Sequence, residues 1–255
     1  MKYAQLVFSP TGGTEKAAAA ITKEWGQDVE TVDLTDGSRQ FSQIAFQEGD
    51  LVLIAVPSYG GRVPELAAGR LAQIRGNGAC CVLTCVYGNR AYEDTLIEMN
   101  DVAETCGFQV IAAVAAIAEH SIMHQYAANR PDQRDVENLR EASRRILDKF
   151  QRASGTGMSV QIPGSRPYRK AGGAGLVPKA GTACVNCGLC AAQCPAMAIN
   201  REAIRTADAQ KCISCMRCVV KCPHSARSVN GLLVSAASLA IKKACSQRKE
   251  CELFL

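Results

Sequence analysis

The chain has 255 residues, 47% of them hydrophobic, with 29 Lys+Arg against 24 Asp+Glu, which suits a globular protein of one large or two modest domains. Its longest apolar run, Val110–Ala118, is too short to span a bilayer, and nothing at the N-terminus reads as a signal peptide, so a cytoplasmic protein is expected. The charge is uneven: residues 1–150 hold 14 basic and 20 acidic side chains (net −6), and residues 151–255 hold 15 and 4 (net +11). A basic half of this kind compensates an anionic cofactor or docks an acidic partner or anionic substrate; nucleic acid is set aside because no nucleic-acid-binding motif accompanies the charge.

In chain order, Tyr3–Phe8 reads as an apolar strand, Thr14–Trp25 as an alanine-rich helix and Val29–Leu34 as a second strand. Leu51–Val56 is a fully apolar strand of the kind buried on both faces, and Pro64–Ile74 a helix with proline at its start. Ala79–Val86 is a strand that takes in Cys80, Cys81 and Cys85 as core residues, Tyr92–Cys106 a helix, Val110–Ala118 a fifth strand and Asp132–Gln151 a polar-faced helix. Strands alternating with helices imply an α/β domain with a doubly wound, five-stranded parallel sheet, whose ligands bind beyond the carboxyl ends of the strands.

Three loops at those ends carry signals. Ser9-Pro10-Thr11-Gly12-Gly13-Thr14 packs hydroxyls and glycines onto a helix start, where free N–H groups favour a phosphate; it lacks the Walker lysine and the third glycine of a dinucleotide loop. Pro57-Ser58-Tyr59-Gly60-Gly61-Arg62-Val63-Pro64 lets backbone approach a flat ligand and offers the Tyr59 ring. Tyr87-Gly88-Asn89-Arg90-Ala91-Tyr92-Glu93 adds a second candidate aromatic at Tyr92. His120 and His124 lie four apart just past the fifth strand; on a helix they would share a face and could bind metal, but they read rather as loop or packing residues, with His120 a candidate proton donor beside a ligand.

Residues 154–181 are rich in glycine and proline and read as a linker, either a plain surface loop or, through Pro163–Lys170 and Tyr168, a segment packed over the ligand's edge. Then come Cys184, Cys187, Cys190, Cys194-Pro195 and Cys212, Cys215, Cys218, Cys222-Pro223, two runs of C-x2-C-x2-C-x3-C-P at an offset of 28 residues. This is the ligand pattern of bacterial two-cluster ferredoxins, in which the fourth cysteine of each run ligates the other cluster. Cluster I then takes Cys184, Cys187, Cys190 and Cys222, and cluster II takes Cys212, Cys215, Cys218 and Cys194. Structural zinc more often uses two separated CxxC pairs, and low-potential clusters belong in a reducing compartment rather than in a disulfide framework. Ala198–Ala209 is expected to form a short hairpin, and Leu232–Cys251 a terminal helix docked on the rest.

The first 150 residues resemble the flavodoxins: Ser9–Thr14 is similar to their FMN-phosphate loop, Pro57–Pro64 to the loop under the isoalloxazine ring, and Gly88–Glu93 to the loop whose tyrosine, here Tyr92, stacks on it. The stretch departs from them at Gly13, where many have Asn, and at Asn89, where they often carry Asp. With the cysteine array added, the whole chain resembles the flavodoxin–ferredoxin fusions ("ferrodoxins") found mainly in anaerobes. The resemblance implies a flavodoxin-like domain (1–153, strand order 2-1-3-4-5), the linker 154–181, a small α+β ferredoxin domain (182–231) and a C-terminal helix (232–255). It also implies FMN and two 4Fe–4S clusters.

Two functions fit. The first is an electron-transfer flavoprotein linking two-electron flavin chemistry to one-electron carriers, through a redox protein partner or a small-molecule acceptor, with a homodimer as a further option. The second is an FMN-dependent reductase of a small, anionic substrate, fed through the clusters, with Tyr59, Arg62, Tyr87 and Arg90 lining the pocket. A radical-activating enzyme is set aside, because Cys81 and Cys85 are followed by Gly88 where a third cysteine is needed.

Overall fold

A computed structural model describes residues 1–26, 28–152, 160–172 and 175–255. The elements run β1 (Tyr3–Val7), α1 (Gly13–Thr22), β2 (Val29–Asp33), β3 (Leu51–Pro57), α2 (Glu65–Leu71), β4 (Cys80–Tyr87), α3 (Thr95–Thr105), β5 (Gln109–Ile117), α4 (Gln133–Arg152), β6 (Lys179–Ala180), α5 (Leu189–Ala192), α6 (Arg217–Val220), β7 (Arg227–Ser228), α7 (Gly231–Cys245) and β8 (Glu252–Phe254).

The main sheet has the order β2-β1-β3-β4-β5-β8. Its first five strands are parallel and give the expected order 2-1-3-4-5, that of the flavodoxin-like fold. Strands β3 and β4 are buried along nearly their whole length because both faces are covered. One face packs Leu6, Ile54, Leu83 and Ala115 against Leu71, Leu96 and Met99 of α2 and α3. The other packs Leu53, Val82 and Val114 against Ala17 and Ile21 of α1 and Leu139 and Ile146 of α4. Alternate residues of one strand thus serve opposite cores, which is why these strands read as continuous apolar runs.

The end of the chain differs from expectation. The helix read over Leu232–Cys251 stops at Cys245, and the chain turns back to add β8 antiparallel to β5, pairing Ala113 with Phe254 and Ala115 with Glu252. The sheet therefore has six strands, and the last one caps an edge that would otherwise expose unpaired backbone. Helix α7 starts on Asn230, whose side chain accepts from the Leu232 and Leu233 amides at 2.9 and 3.3 Å. It docks through Ser238, whose carbonyl accepts from the Tyr126 hydroxyl at 2.8 Å and whose Oγ accepts from Gln125 at 2.6 Å. Among the described residues no helix is long and apolar enough to cross a membrane.

The linker reading falls partly on residues 154–159 and 173–174, which lie outside the described residues. Residues 160–172 are a pinned strap rather than a plain surface loop: Asp94 accepts from the Ser165 and Arg169 amides at 2.9 and 2.7 Å, and Asp101 accepts from Arg166 and Tyr168. Strand β6, which lies before residue 182, pairs with β7 at the far end of the cysteine-rich stretch. The hairpin expected at 198–209 is a turn closed by Asp208 N donating to Ala198 O at 2.7 Å, with no strand of its own.

Candidate functional site

The loop between β1 and α1 is built to hold an anion. Ser9 is fixed at both ends: its amide donates to Thr35 Oγ1 at 3.0 Å, and its Oγ accepts from the Glu15 amide at 3.0 Å. Gly12 has φ +92°, open only to glycine at low cost, and a Cβ on Gly13 would lie 3.1 Å from that of Ala118 at the end of β5. Among the described residues, the amides of Thr11, Gly12, Gly13 and Thr14 donate to no protein acceptor. Four free N–H groups at the start of a ten-residue helix form a cradle for a phosphate.

In the second loop Tyr59 and Arg62 exchange backbone hydrogen bonds of 2.9 and 3.2 Å across Gly60 (φ +61°) and Gly61 (φ +83°), a two-residue turn that needs left-handed backbone at both centres. Ser58 Oγ is bonded to Thr95 Oγ1 at 2.7 Å. Arg62 does not face a free site: it makes a two-point pair with Glu98 (2.7 and 2.8 Å), Glu98 also accepts from the Val63 amide, and the guanidinium lies 4.8 Å from the Tyr168 ring centroid. The Gly172 carbonyl oxygen packs close over Gly60, so the strap walls this loop from outside. Burial pushes the Tyr59 phenol well up, and the neighbouring Cys215 adds to the shift.

The third loop departs furthest from expectation. Tyr87 belongs to the core and meets Tyr92 edge-on at 5.2 Å, while the Tyr92 hydroxyl donates to Glu252 of β8 at 3.3 Å. Burial first, and then Glu252, raise both phenols. Asn89 donates to the Cys245 and Gln247 carbonyls at 3.0 and 2.8 Å and accepts from the Lys249 amide at 3.2 Å. It anchors the chain's tail, a task that needs an amide donor and explains why Asp does not stand here. Arg90 pairs with Glu93 at 2.6 Å, and Glu93 also holds Arg169.

His120 packs on Gly88, where a Cβ would lie 2.7 Å from its own. Its Nδ1 accepts from the Ile122 and Met123 amides, each at 3.2 Å, which places the neutral ring's proton on Nε2. Burial, and then His124, hold its pKa below the usual histidine value. His124 is turned to Glu119 at 2.6 Å, and the stretch is no helix, so the two imidazoles do not share a helical face.

The repeat in the cysteine runs is also a repeat of backbone. Asn186 and Ser214, Gly188 and Met216, and Met197 and Ser225, each pair 28 residues apart, all have positive φ. The amides of Ala198 and Ala226 each donate to the sulfur of the fourth cysteine of their run, Cys194 and Cys222, at 3.3 Å. The result is two partly open cavities. One is lined by Cys212, Cys215, Cys218 and Cys194, the other by Cys184, Cys187, Cys190 and Cys222. All fourteen cysteines are free thiols. Among the described residues no three His, Cys, Asp or Glu side chains stand close enough to share one ion, and each cavity is lined by four cysteines, a donor set that fits a 4Fe–4S cluster. Burial pushes the Cys215 and Cys218 thiols up to about 12 and about 11, a bias that coordination to metal reverses.

The first cavity is docked on the sheet's carboxyl end. Arg217 Nη1 donates to the Ser9 and Pro10 carbonyls at 3.5 and 3.4 Å, Arg70 Nη2 donates to Pro195 O at 2.7 Å, and Ile213 packs against the core of the sheet. Neither Arg70 nor Glu98 announces itself in sequence, because their partners lie more than 30 residues away. The same holds for Arg217, whose partners Ser9 and Pro10 lie 208 and 207 residues away.

Residues 183–227 match the family model of the 4Fe-4S dicluster domain. The chain therefore joins a flavodoxin-like fold to a ferredoxin-type 4Fe–4S domain. Among solved structures, the flavodoxin of Streptococcus pneumoniae TIGR4 is 21% identical, covering 58% of this chain and 99% of that one, with a TM-score of 0.41. The two-electron reduced flavodoxin of Megasphaera elsdenii is 20% identical over 56% of this chain and 98% of that one, TM-score 0.36. Rubredoxin oxygen:oxidoreductase from the anaerobe Desulfovibrio gigas is 17% identical over 59% of this chain and 36% of that one, TM-score 0.42. A search of curated proteins returned no match.

Proposed function

We propose that this fusion is an electron-transfer protein that holds FMN at the strand ends and a 4Fe–4S cluster in each cysteine-lined cavity. One observation carries the reading: each cavity takes three cysteines from one run and the fourth from the other, and the cavity of Cys194, Cys212, Cys215 and Cys218 is packed against the phosphate-type loop. Thr11–Thr14 would hold the FMN phosphate on their free amides, and Tyr59, Gly60 and Gly61 would lie beside the ring. Bound there, FMN would take electrons singly or in pairs and each cluster one at a time, which links two-electron to one-electron carriers. The protein's own part is to fix the separation of these sites: the strap, the Arg70–Pro195 bond and β8 tie the module to the sheet at separate points.

The reductase reading is less favoured. Arg62 and Arg90, the charges it needs for an anionic substrate, are both held by carboxylates, Arg62 by Glu98 and Arg90 by Glu93, which it shares with Arg169.

The test is the composition of protein purified without oxygen, which the reading sets at about eight irons and one FMN per chain. Thr11→Ala with Thr14→Ala should then weaken FMN retention and leave iron unchanged. Retention at wild-type strength would remove the phosphate assignment, and about four irons would remove one cluster.

A further inference from the structure

The 28-residue repeat makes the two cysteine-lined cavities near copies of each other, yet matching positions have opposite surroundings. Ile213 packs against the core of the sheet, while its counterpart Val185 is 60% exposed. Pro195 is buried and accepts from Arg70, whereas Pro223 is exposed. Cys215 is buried and Cys187 exposed. Arg217 reaches the Ser9 and Pro10 carbonyls, and the first run carries the apolar Leu189 in its place. Among the described residues, no hydrogen bond joins the lining of the Cys184, Cys187, Cys190 and Cys222 cavity to residues 1–172. The rim of this outer cavity is basic and apolar. Lys221 and His224 are exposed beside Val185, Arg205 donates to the Gly181 and Cys184 carbonyls at 3.1 Å each, and no carboxylate is among the lining residues.

We propose that the two cavities have different tasks: the one of Cys184, Cys187, Cys190 and Cys222 is the port at which a one-electron carrier protein with an acidic face docks, and the one of Cys194, Cys212, Cys215 and Cys218 is the inner relay towards the strand-end loops. The proposal rests on the two-cluster reading. One electron passes at each encounter: the carrier is oxidised, the outer centre is reduced, and no atom is transferred. The exposed Cys187 and Val185 bring a docked carrier close to the outer centre, whereas the sheet covers the inner one at Ile213 and Pro195. Two oxidised clusters bring about −4 to residues 151–255, whose side chains carry a net +11. This half stays basic, and its field steers an acidic face towards it.

Two measurements on the intact holoprotein test it. Iron and sulfide are assayed in the wild type first, and fewer than two clusters there would overturn the two-cluster reading itself. The first measurement is the relaxation of each cluster's electron paramagnetic resonance signal by a soluble dysprosium–EDTA chelate. Strong enhancement at one cluster and little at the other is expected; equal enhancement would overturn the proposal. The second is the rate at which a reduced acidic flavodoxin, the carrier used as probe, reduces the clusters at low salt. Val185→Glu with full iron content is expected to slow this about fivefold, an effect that fades at high salt. Met197→Glu puts the same charge beside the inner cavity, between the lining residues Ala196 and Ala198 and on a side chain 79% exposed, and is expected to leave the rate unchanged. Equal slowing by both, slowing by Met197→Glu alone, or slowing by neither would overturn the proposal. Should Val185→Glu not load iron, Lys221→Gln replaces it with the same expected result.

Discussion

Arg217 stands between Cys215 and Cys218 in sequence, and its Nη1 reaches the Ser9 and Pro10 carbonyls at 3.5 and 3.4 Å. A ligand loop of one module thus touches the anion cradle of the other. Arg217→Ala should leave iron content unchanged and weaken FMN binding by up to about tenfold, since hydrogen bonds from a charged group contribute about 1.5 kcal/mol at the low end and these are long. Titration of flavin-free protein with FMN measures this. Unchanged affinity with lost iron would mean that the residue serves the cluster and not the cradle.

Crossed ligation has its own test. Cys194 lines the cavity of the second run, beside Cys212, Cys215 and Cys218. Cys194→Ser should therefore damage the cluster held by that run and spare the one at Cys184, Cys187, Cys190 and Cys222. The two are told apart by comparison with Cys212→Ser, which should give the same spectrum. A spectrum matching Cys184→Ser instead contradicts the crossing.

Asn89 secures the tail by donating to two carbonyls. Asn89→Asp replaces that donor with an acceptor that faces both oxygens. The loss is expected to be about 1–3 kcal/mol, the cost of buried groups left unsatisfied. Hydrogen exchange should show faster opening of α7 and β8 with the sheet's centre unaffected. Uniform protection throughout would show that the tail is held elsewhere.

His120 gives a pH dependence. Its pKa is held below the ordinary value of 6.5, mainly by burial. Protonation turns Nδ1 into a donor facing two amide donors, Ile122 and Met123. A depressed histidine pKa means that the unfolded chain takes the proton first. The loop after β5 is therefore most stable above pH 6.5 and loses stability as pH falls from there through the folded value. Amide exchange of Ile122 and Met123, corrected for intrinsic rates, should show protection falling over that window. His120→Asn, which keeps an acceptor and does not titrate, should flatten it.

Much of this was legible in sequence, for physical reasons. Leu51–Pro57 and Cys80–Tyr87 are apolar along nearly their whole length because both faces are covered, and the 28-residue offset of the cysteines reappears as matched left-handed positions. What escaped notice depends on distant partners. Glu252–Phe254 is too short to read as a strand until β5 is beside it. The role of Asn89 depends on carbonyls 156 and 158 residues away, and each cysteine-lined cavity on both runs together. Arg62 and Arg90 looked available in a flavin-type loop; only the fold shows Glu98 beside one, and Glu93 turned onto the other.

The central claim is that three redox centres work on one chain. Anaerobic reductive titration, followed by visible absorbance and electron paramagnetic resonance, tests it most directly. Uptake of about four electrons per chain, two at the flavin and one at each cluster, is the predicted result. Iron signals with no flavin response would contradict it and leave the sheet's carboxyl end without its proposed cofactor.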